Sequence, residues 1–330
     1  MRKLIWAVLI AAAAWSGWWF VGSTAKENAL LAWLEDRRSA GWIASTQSLN
    51  VTGFPNRFDT KIVGLELADP PQGWAWSAPN FEILALSYQP NHIIAIWPHE
   101  QSWSSANGTT IVSAEDMRGS VKFLPSTALA LDETTIDIKG LQLHGPDWSA
   151  ALESAIFATR RAAGENAHEL AFTVKNLAMP PFWKAIVNRN GSLPDVFSDA
   201  QLETTLAFDA PWDRHAIETT NPLLTGFNLQ KLRLLWGDLQ LDVKGDIQID
   251  SEGYFVGELQ LRAKNWQDIL QLFVDSGSLS ADNATLIRAG LNIIAMLSGD
   301  PRTLNAPLTF ANGEAHIGPV WIGYAPRLNR

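Results

Sequence analysis

Six histidines, His92, His99, His144, His168, His215 and His316, are the first residues to weigh for metal or acid–base chemistry. No two stand at zinc-ligand spacing with a carboxylate nearby. The chain has no cysteine, so thiolate catalysis and Cys-ligated zinc or iron–sulfur centres are excluded. Asp238, Asp242, Asp246 and Asp250 recur every four residues. A calcium loop needs an Asp-x-Asp-x-Asp-Gly run and a closing Glu. Neither is present, and these aspartates read as the solvated face of strands. Ser, His and Asp occur without the Gly-x-Ser-x-Gly turn that presents a nucleophile. No Gly-rich loop runs from a strand into a helix to cradle phosphate. The expectation is a protein that is not an enzyme, with no metal and no cofactor. A hydrolase with a dispersed site is the residual alternative. Asn50, Asn107, Asn190 and Asn283 lie in Asn-x-Ser/Thr sequons, which matter only in a eukaryotic secretory setting.

One stretch looks like a motif without carrying chemistry: VTGFPNRFDT, residues 51–60. Leu49 and Val51 end one strand. Gly53 relaxes the backbone, Phe54 and Pro55 turn it, and Arg57-Phe58 begin the next strand. Gly53, Phe54, Pro55 and Arg57 are therefore expected to be structural. Two partners stay open for Arg57, a carboxylate of the body or a lipid headgroup.

The elements that would position these residues begin with a hydrophobic N-terminus. Residues 4–22, LIWAVLIAAAAWSGWWFVG, contain 19 residues and no charge, about the length that crosses a bilayer as a helix. Arg2 and Lys3 precede the run, which places the N-terminus in the cytoplasm and the body outside. Trp18, Trp19 and Phe20 would lie at the far interface. A cleaved signal peptide, with Ser23 and Ala25 as the small-x-small cleavage site, is the competing reading. Residues 26–44 continue as an amphipathic helix, with Leu30, Trp33 and Leu34 on one side and Glu35, Asp36, Arg37 and Arg38 on the other. That helix docks on the body or lies along the membrane surface. The rest, 45–330, is the body, and the loop-rich passage at 180–200 could separate two halves of it. A formal net charge of −9 argues against nucleic acid as a partner. Sixteen tryptophans suit core packing or half-wet contact with lipid.

The body reads as strands. Phe58, Thr60 and Ile62 share one parity and Leu65 and Leu67 the other, with Gly64 as a candidate bulge. Residues 80–89 and 91–100 read as two strands around Pro90, followed by TTIVSA, GSVKFL, ALALDE and TTIDIKGLQL. Residues 151–161 fit strand or helix. From 237 to 265, Leu239, Leu241 and Val243, then Ile247 and Ile249, then Leu259 and Leu261 alternate with polar residues. Glycines at 245, 253 and 257 divide these runs into a three-stranded meander with one wholly apolar face. Asn265 is a candidate N-cap for a helix with Trp266, Ile269, Leu270, Phe273 and Val274 on one side. A second helix, 280–299, carries Leu286, Ile287, Leu291, Ile294 and Leu297. A hairpin turning at Asn312-Gly313 closes the chain. The fold class expected is mainly β (α+β): a transmembrane helix, then a curved antiparallel sheet with two helices near the C-terminus.

The order of GFPNRFD, ALSYQPNHIIAIWP, WGDLQLDVKG, GELQLRAKNW and APLTFANGEAHIGPVWIGYAPRL, behind an N-terminal span and a helix ending at Gly41-Trp42, resembles the domain of unknown function 2125 family. Its members are alphaproteobacterial membrane-anchored proteins. The resemblance implies a Gram-negative inner membrane and a periplasmic body, and transfers no functional residue. The long Gly-punctuated amphipathic strands are more distantly similar to AsmA-like envelope proteins, in which a curved sheet forms an apolar trough tied to lipid handling. The expected function is therefore a single-pass inner-membrane protein whose apolar face, Leu239, Leu241, Val243, Leu259 and Leu261, binds or conducts lipid or another amphiphile. The alternative is an envelope scaffold that binds another protein, its apolar face sealed by its own helices.

Overall fold

The structure, a computed structural model, describes residues 1–328 apart from 190, 192, 220 and 298. Asn190 of the third sequon therefore lies outside the described residues. The chain forms two compact units, Met1–Pro125 with Ile136–Asp147, and Ser126–Thr135 with Trp148–Arg330. Every ladder in both is antiparallel, which places the chain in the mainly β class. The passage at 180–200 falls inside the second unit.

The first unit opens with α1 (Arg2–Ser39) and continues with β1 (Ile43–Ser45), β2 (Ser48–Thr52), β3 (Asp59–Asp69), β4 (Trp74–Leu86), β5 (Gln89–Ile96), β6 (Glu100–Ser105), β7 (Gly108–Ser113) and β8 (Asp116–Phe123). Strand β9 (Leu131–His144) belongs to this unit from Ile136 on. The hydrophobic run and the amphipathic segment that follows are one unbroken helix. Residues 2–15 of α1 are exposed along their whole length. Leu34, one turn from its end, is buried with Ala44, Leu49, Ile62 and Leu65. Strand β3 divides its partners: Asp59–Val63 pair with β2 and Glu66–Ala68 with β1. Its inward face changes parity at Gly64 without the expected bulge. The ladder to β4 keeps one register, Val63 opposite Asn80 and Leu65 opposite Ala78. The switch comes from the left-handed backbone of Gly64, at φ 61°, a conformation that costs glycine little.

Pro90 does not separate two strands. Strand β4 runs to Leu86 and turns at Ser87-Tyr88, leaving Pro90 inside β5. The β4–β5 register shifts between Ala85 and Leu86, and such an irregularity is where a sheet tolerates a residue that cannot donate.

The second unit contains β10 (Ser149–Arg161), β11 (Ala167–Ala178), α2 (Pro181–Val187), β12 (Val196–Phe208), α3 (Arg214–Glu218), β13 (Leu224–Trp236), β14 (Leu239–Ile249), β15 (Phe255–Lys264), α4 (Trp266–Asp275), α5 (Ala281–Leu297), β16 (Thr303–Ala311), β17 (Glu314–Ile317) and β18 (Val320–Tyr324). From β10 to β18 each strand pairs with the next. The ambiguous stretch 151–161 is strand, and ALALDE and TTIDIKGLQL merge into β9 from Leu131.

The three-run meander is a two-stranded hairpin. Gly245 lies within β14, opposite Leu259, and the chain turns only around Gly253. Asn265 precedes α4 but its side chain does not cap it. The amide donates instead to the Asp238 carbonyl at 2.8 Å, tying the helix start to the β13–β14 turn. On α5 the buried side is Ala284, Ile287, Leu291 and Ala295, while Leu286 and Leu297 are 74% and 83% exposed. Two small alanines let the helix lie close on the sheet, so the larger leucines expected inward turn away.

Candidate functional site

Period-two alternation puts Leu241 and Val243 on one face of β14, and Leu259 and Leu261 on the same face of β15. In register, Val243 stands opposite Leu261. These four side chains line one cavity of about 690 Å³ in the second unit. The fifth candidate, Leu239, does not line it. It pairs with Trp236 beside the β13–β14 turn and is buried there. The opposite face carries Gln240, Asp242 and Lys244, with Arg233 3.9 Å from Asp242. This fits a solvated polar face.

The cavity extends beyond the hairpin. Leu202 and Leu206 of β12, Phe227, Leu229 and Leu232 of β13, and Leu304 and Leu308 of β16 continue its floor. Trp266, Ile269, Leu270 and Phe273 of α4 form its cover. Two bulges bring the floor together. The β12–β13 register shifts between Glu203 and Thr204, and the β13–β14 register between Leu229 and Leu232. The second lets residues three apart, Leu229 and Leu232, both face inward. Alternation is broken at that point, so β13 is not legible as part of the same face from sequence.

Among the described lining residues the polar handles are two, and both are engaged. Thr204 Oγ1 donates to the Asn228 carbonyl at 2.9 Å, and Trp266 Nε1 to the Pro301 carbonyl at 3.1 Å. No charged side chain lines the space. Such a site can supply shape and dispersion contacts to an apolar chain, but no acid, base or nucleophile. Its volume lies within the range usual for small-molecule sites. Phe273 lines the cavity and is 54% exposed, marking where it meets solvent.

Helices cover only part of the apolar face. Trp266, Ile287, Leu291 and Ala295 pack against Ala263, Leu304 and Ala306 and seal the β15–β16 side. Beyond them, Ile247, Leu259 and Phe310 form a packed core with Leu229 and Val243. The cavity lies between these filled regions, sharing residues with both.

The Gly53–Phe58 turn sits in the first unit against α1. Gly53 has φ 101°, and a Cβ there would stand 2.8 Å from Arg57 Cβ. The Phe54–Pro55 bond is cis. Arg57 Nε lies 3.0 Å from the Asp59 carboxylate, so its charge is met within the fold. Phe54 packs edge-on to Trp19 and stacks on Phe20. Three indoles of α1 donate to backbone carbonyls of this region: Trp15 to Pro55 at 3.1 Å, Trp18 to Ser87 at 3.3 Å and Trp19 to Arg57 at 2.7 Å. Lys26 Nζ donates to Phe58 O at 2.9 Å. Burial pushes the Lys26 ammonium down to about 8, with Asp59 pulling it back up. The signal for this contact was present in the sequence. Trp15, Trp18, Trp19, Gly22, Ser23, Lys26, Leu30 and Leu34 make one i, i+3, i+4 stripe across the end of the hydrophobic run. A second apolar cavity, about 360 Å³, lies under α1 between Leu30, Leu34 and strands β2–β4.

Among the described residues no group of three or more histidines, aspartates and glutamates is placed to hold a metal ion. Across residues 19–326 the chain matches a family model described as an uncharacterized protein conserved in bacteria (DUF2125). No curated protein and no solved structure matches the chain.

Proposed function

The chain belongs to the DUF2125 family, and from that premise we propose that it is a membrane-anchored, non-enzymatic protein that takes the apolar chain of a lipid or similar amphiphile into its second unit. Among the described residues one helix, α1, is long and apolar enough to cross a membrane. We place Arg2 and Lys3 on the cytoplasmic side of an inner membrane and the β units on the periplasmic side. The integration of Trp15, Trp18 and Trp19 into the first unit supports retention of α1 over cleavage, because removing residues 1–25 would strip three hydrogen bonds and a buried indole from the fold.

The observation that carries the reading is the 690 Å³ cavity walled almost wholly by aliphatic and aromatic side chains. Apolar wall facing water is unfavourable in proportion to its area, so a bound acyl chain would gain by covering it. The test uses full-length protein in nanodiscs with a polyene fatty-acid probe, and empty nanodiscs for background. Wild type should bind the probe saturably. Leu241→Trp with Leu261→Trp, which narrows the space, should weaken saturable binding several-fold while circular dichroism stays unchanged. Equal binding by both proteins would overturn the reading.

The scaffold alternative is favoured by a different observation. The outward side of α5 presents Leu286, Ile293, Met296 and Leu297, all exposed. If the narrowed variant retains cellular function while Leu286→Glu with Ile293→Glu loses it, the protein works through that helix instead.

A further inference from the structure

The length of α1 and its contacts set how deep the first unit sits. A hydrocarbon layer about 30 Å thick takes about 20 helical residues. Starting at Leu4, after the charges of Arg2 and Lys3, such a span ends near Ser23. Trp15 lies only about 17 Å along that path, and Trp19 about 22 Å. Yet these indoles are hydrogen-bonded to Pro55 and Arg57 of the body. A helix that met the body only at the membrane surface would have too little apolar length left to cross. The turn bonded to it must therefore descend with it.

The turn is built for that position. Backbone at membrane depth has to satisfy its polar groups internally. Here Gly53 O accepts from Arg57 N at 2.8 Å and Asn56 O from Ser87 N at 2.8 Å. Pro55 O, Arg57 O and Phe58 O accept from Trp15, Trp19 and Lys26. Ser87 O accepts from Trp18, and Phe58 N donates to Ala85 O at 2.8 Å. Phe54 is 52% exposed and Tyr88 63%, beside exposed Phe20 and Val21 of α1. Aromatic rings of this kind collect at the membrane–water interface. Asn56 and Arg57 are exposed beside them, and Arg57, paired with Asp59, is of the type that meets a phosphate headgroup.

We propose that the Gly53–Phe58 turn and the Ser87–Tyr88 turn form a foot seated in the phospholipid interface where α1 leaves the bilayer, with Phe54 and Tyr88 in contact with lipid. The motif is thus both a turn and a membrane-contact surface. The inference rests on α1 crossing the bilayer, as proposed above, and its occupant is the phospholipid itself.

The absence of cysteine makes single-cysteine labelling clean. Phe54→Cys, Tyr88→Cys, Leu9→Cys and Asn107→Cys, each carrying a small environment-sensitive fluorophore, are reconstituted as full-length protein in phosphatidylcholine–phosphatidylglycerol vesicles. The Leu9 label, on the exposed side of α1, reports the span alone. The Asn107 label, exposed on the β6–β7 turn, is the aqueous control. At positions 54 and 88, lipids brominated near the headgroup end of the acyl chain should quench strongly. Aqueous iodide should quench there several-fold less than at position 107. Should Phe54→Cys disturb the packing on Trp19, the outlying Tyr88 position still reads the same contact. Labels at both 54 and 88 that match 107 in iodide access, with no bromine quenching, would overturn the foot if position 9 is quenched by lipid. If position 9 is not quenched either, the span itself fails.

Discussion

Two titratable side chains and one glycine give the sharpest consequences at the scale of the residue. Lys26 is partly buried with its ammonium held down to about 8 from 10.5. Between these values the unfolded chain holds a proton that the folded chain has released. Stability of the first unit should therefore rise as pH climbs from 8 to 10.5, and Lys26→Met should flatten that rise. Carbon NMR of the dimethylated lysine would follow its titration directly. His168 is buried in β11 with Nδ1 unpartnered. Burial and then Arg161 lower its pKa below 6.5, against a smaller pull from Asp132. As pH falls below 6.5 the unfolded chain takes up a proton that the folded unit resists, so the second unit should lose stability. His168→Gln should weaken this acid sensitivity in thermal melts between pH 7 and 5. Gly53→Val meets both a positive φ and the Arg57 Cβ. It should destabilise the first unit by roughly 1–3 kcal/mol, and a denaturation midpoint equal to wild type would contradict the strained turn.

At the scale of the element, position along β14 separates packing from binding. Ile247 is fully buried in the filled core, so Ile247→Ala should cost about 2–5 kcal/mol and leave the cavity unaltered. Leu241 and Leu261 border empty space, so Leu261→Asp should keep the fold, by far-ultraviolet circular dichroism, while abolishing probe uptake. Unfolding of both variants would mean that the cavity walls are as tightly packed as the core. Much of this element was legible beforehand. Strict alternation from Leu239 to Leu261 placed four cavity residues on one face, and the heptad-like spacing from Trp266 to Val274 gave α4. The contribution of β13 was hidden by the bulge between Leu229 and Leu232, which breaks the two-residue period. The leucines of α5 fit the inward spacing yet lie exposed, because alanines, weak in any hydrophobic pattern, supply the close contact. The continuous stripe along α1 is hard to see in sequence, since it crosses from an uncharged run, where every position is apolar, into an amphipathic one.

At the scale of the whole molecule, the helix proposed to cross the membrane belongs to the first unit and the apolar cavity to the second. The most direct test of the proposed function is whether an acyl chain enters that cavity. A bimane label at Leu270→Cys, on the α4 wall, is introduced into full-length protein in nanodiscs, and fatty acid brominated along its chain is added. Quenching that saturates, reverses on competition with unbrominated fatty acid, and weakens in the background of Leu241→Trp with Leu261→Trp is the predicted result. Quenching no greater than at a labelled Asn107→Cys, at every concentration of brominated chain, would contradict it.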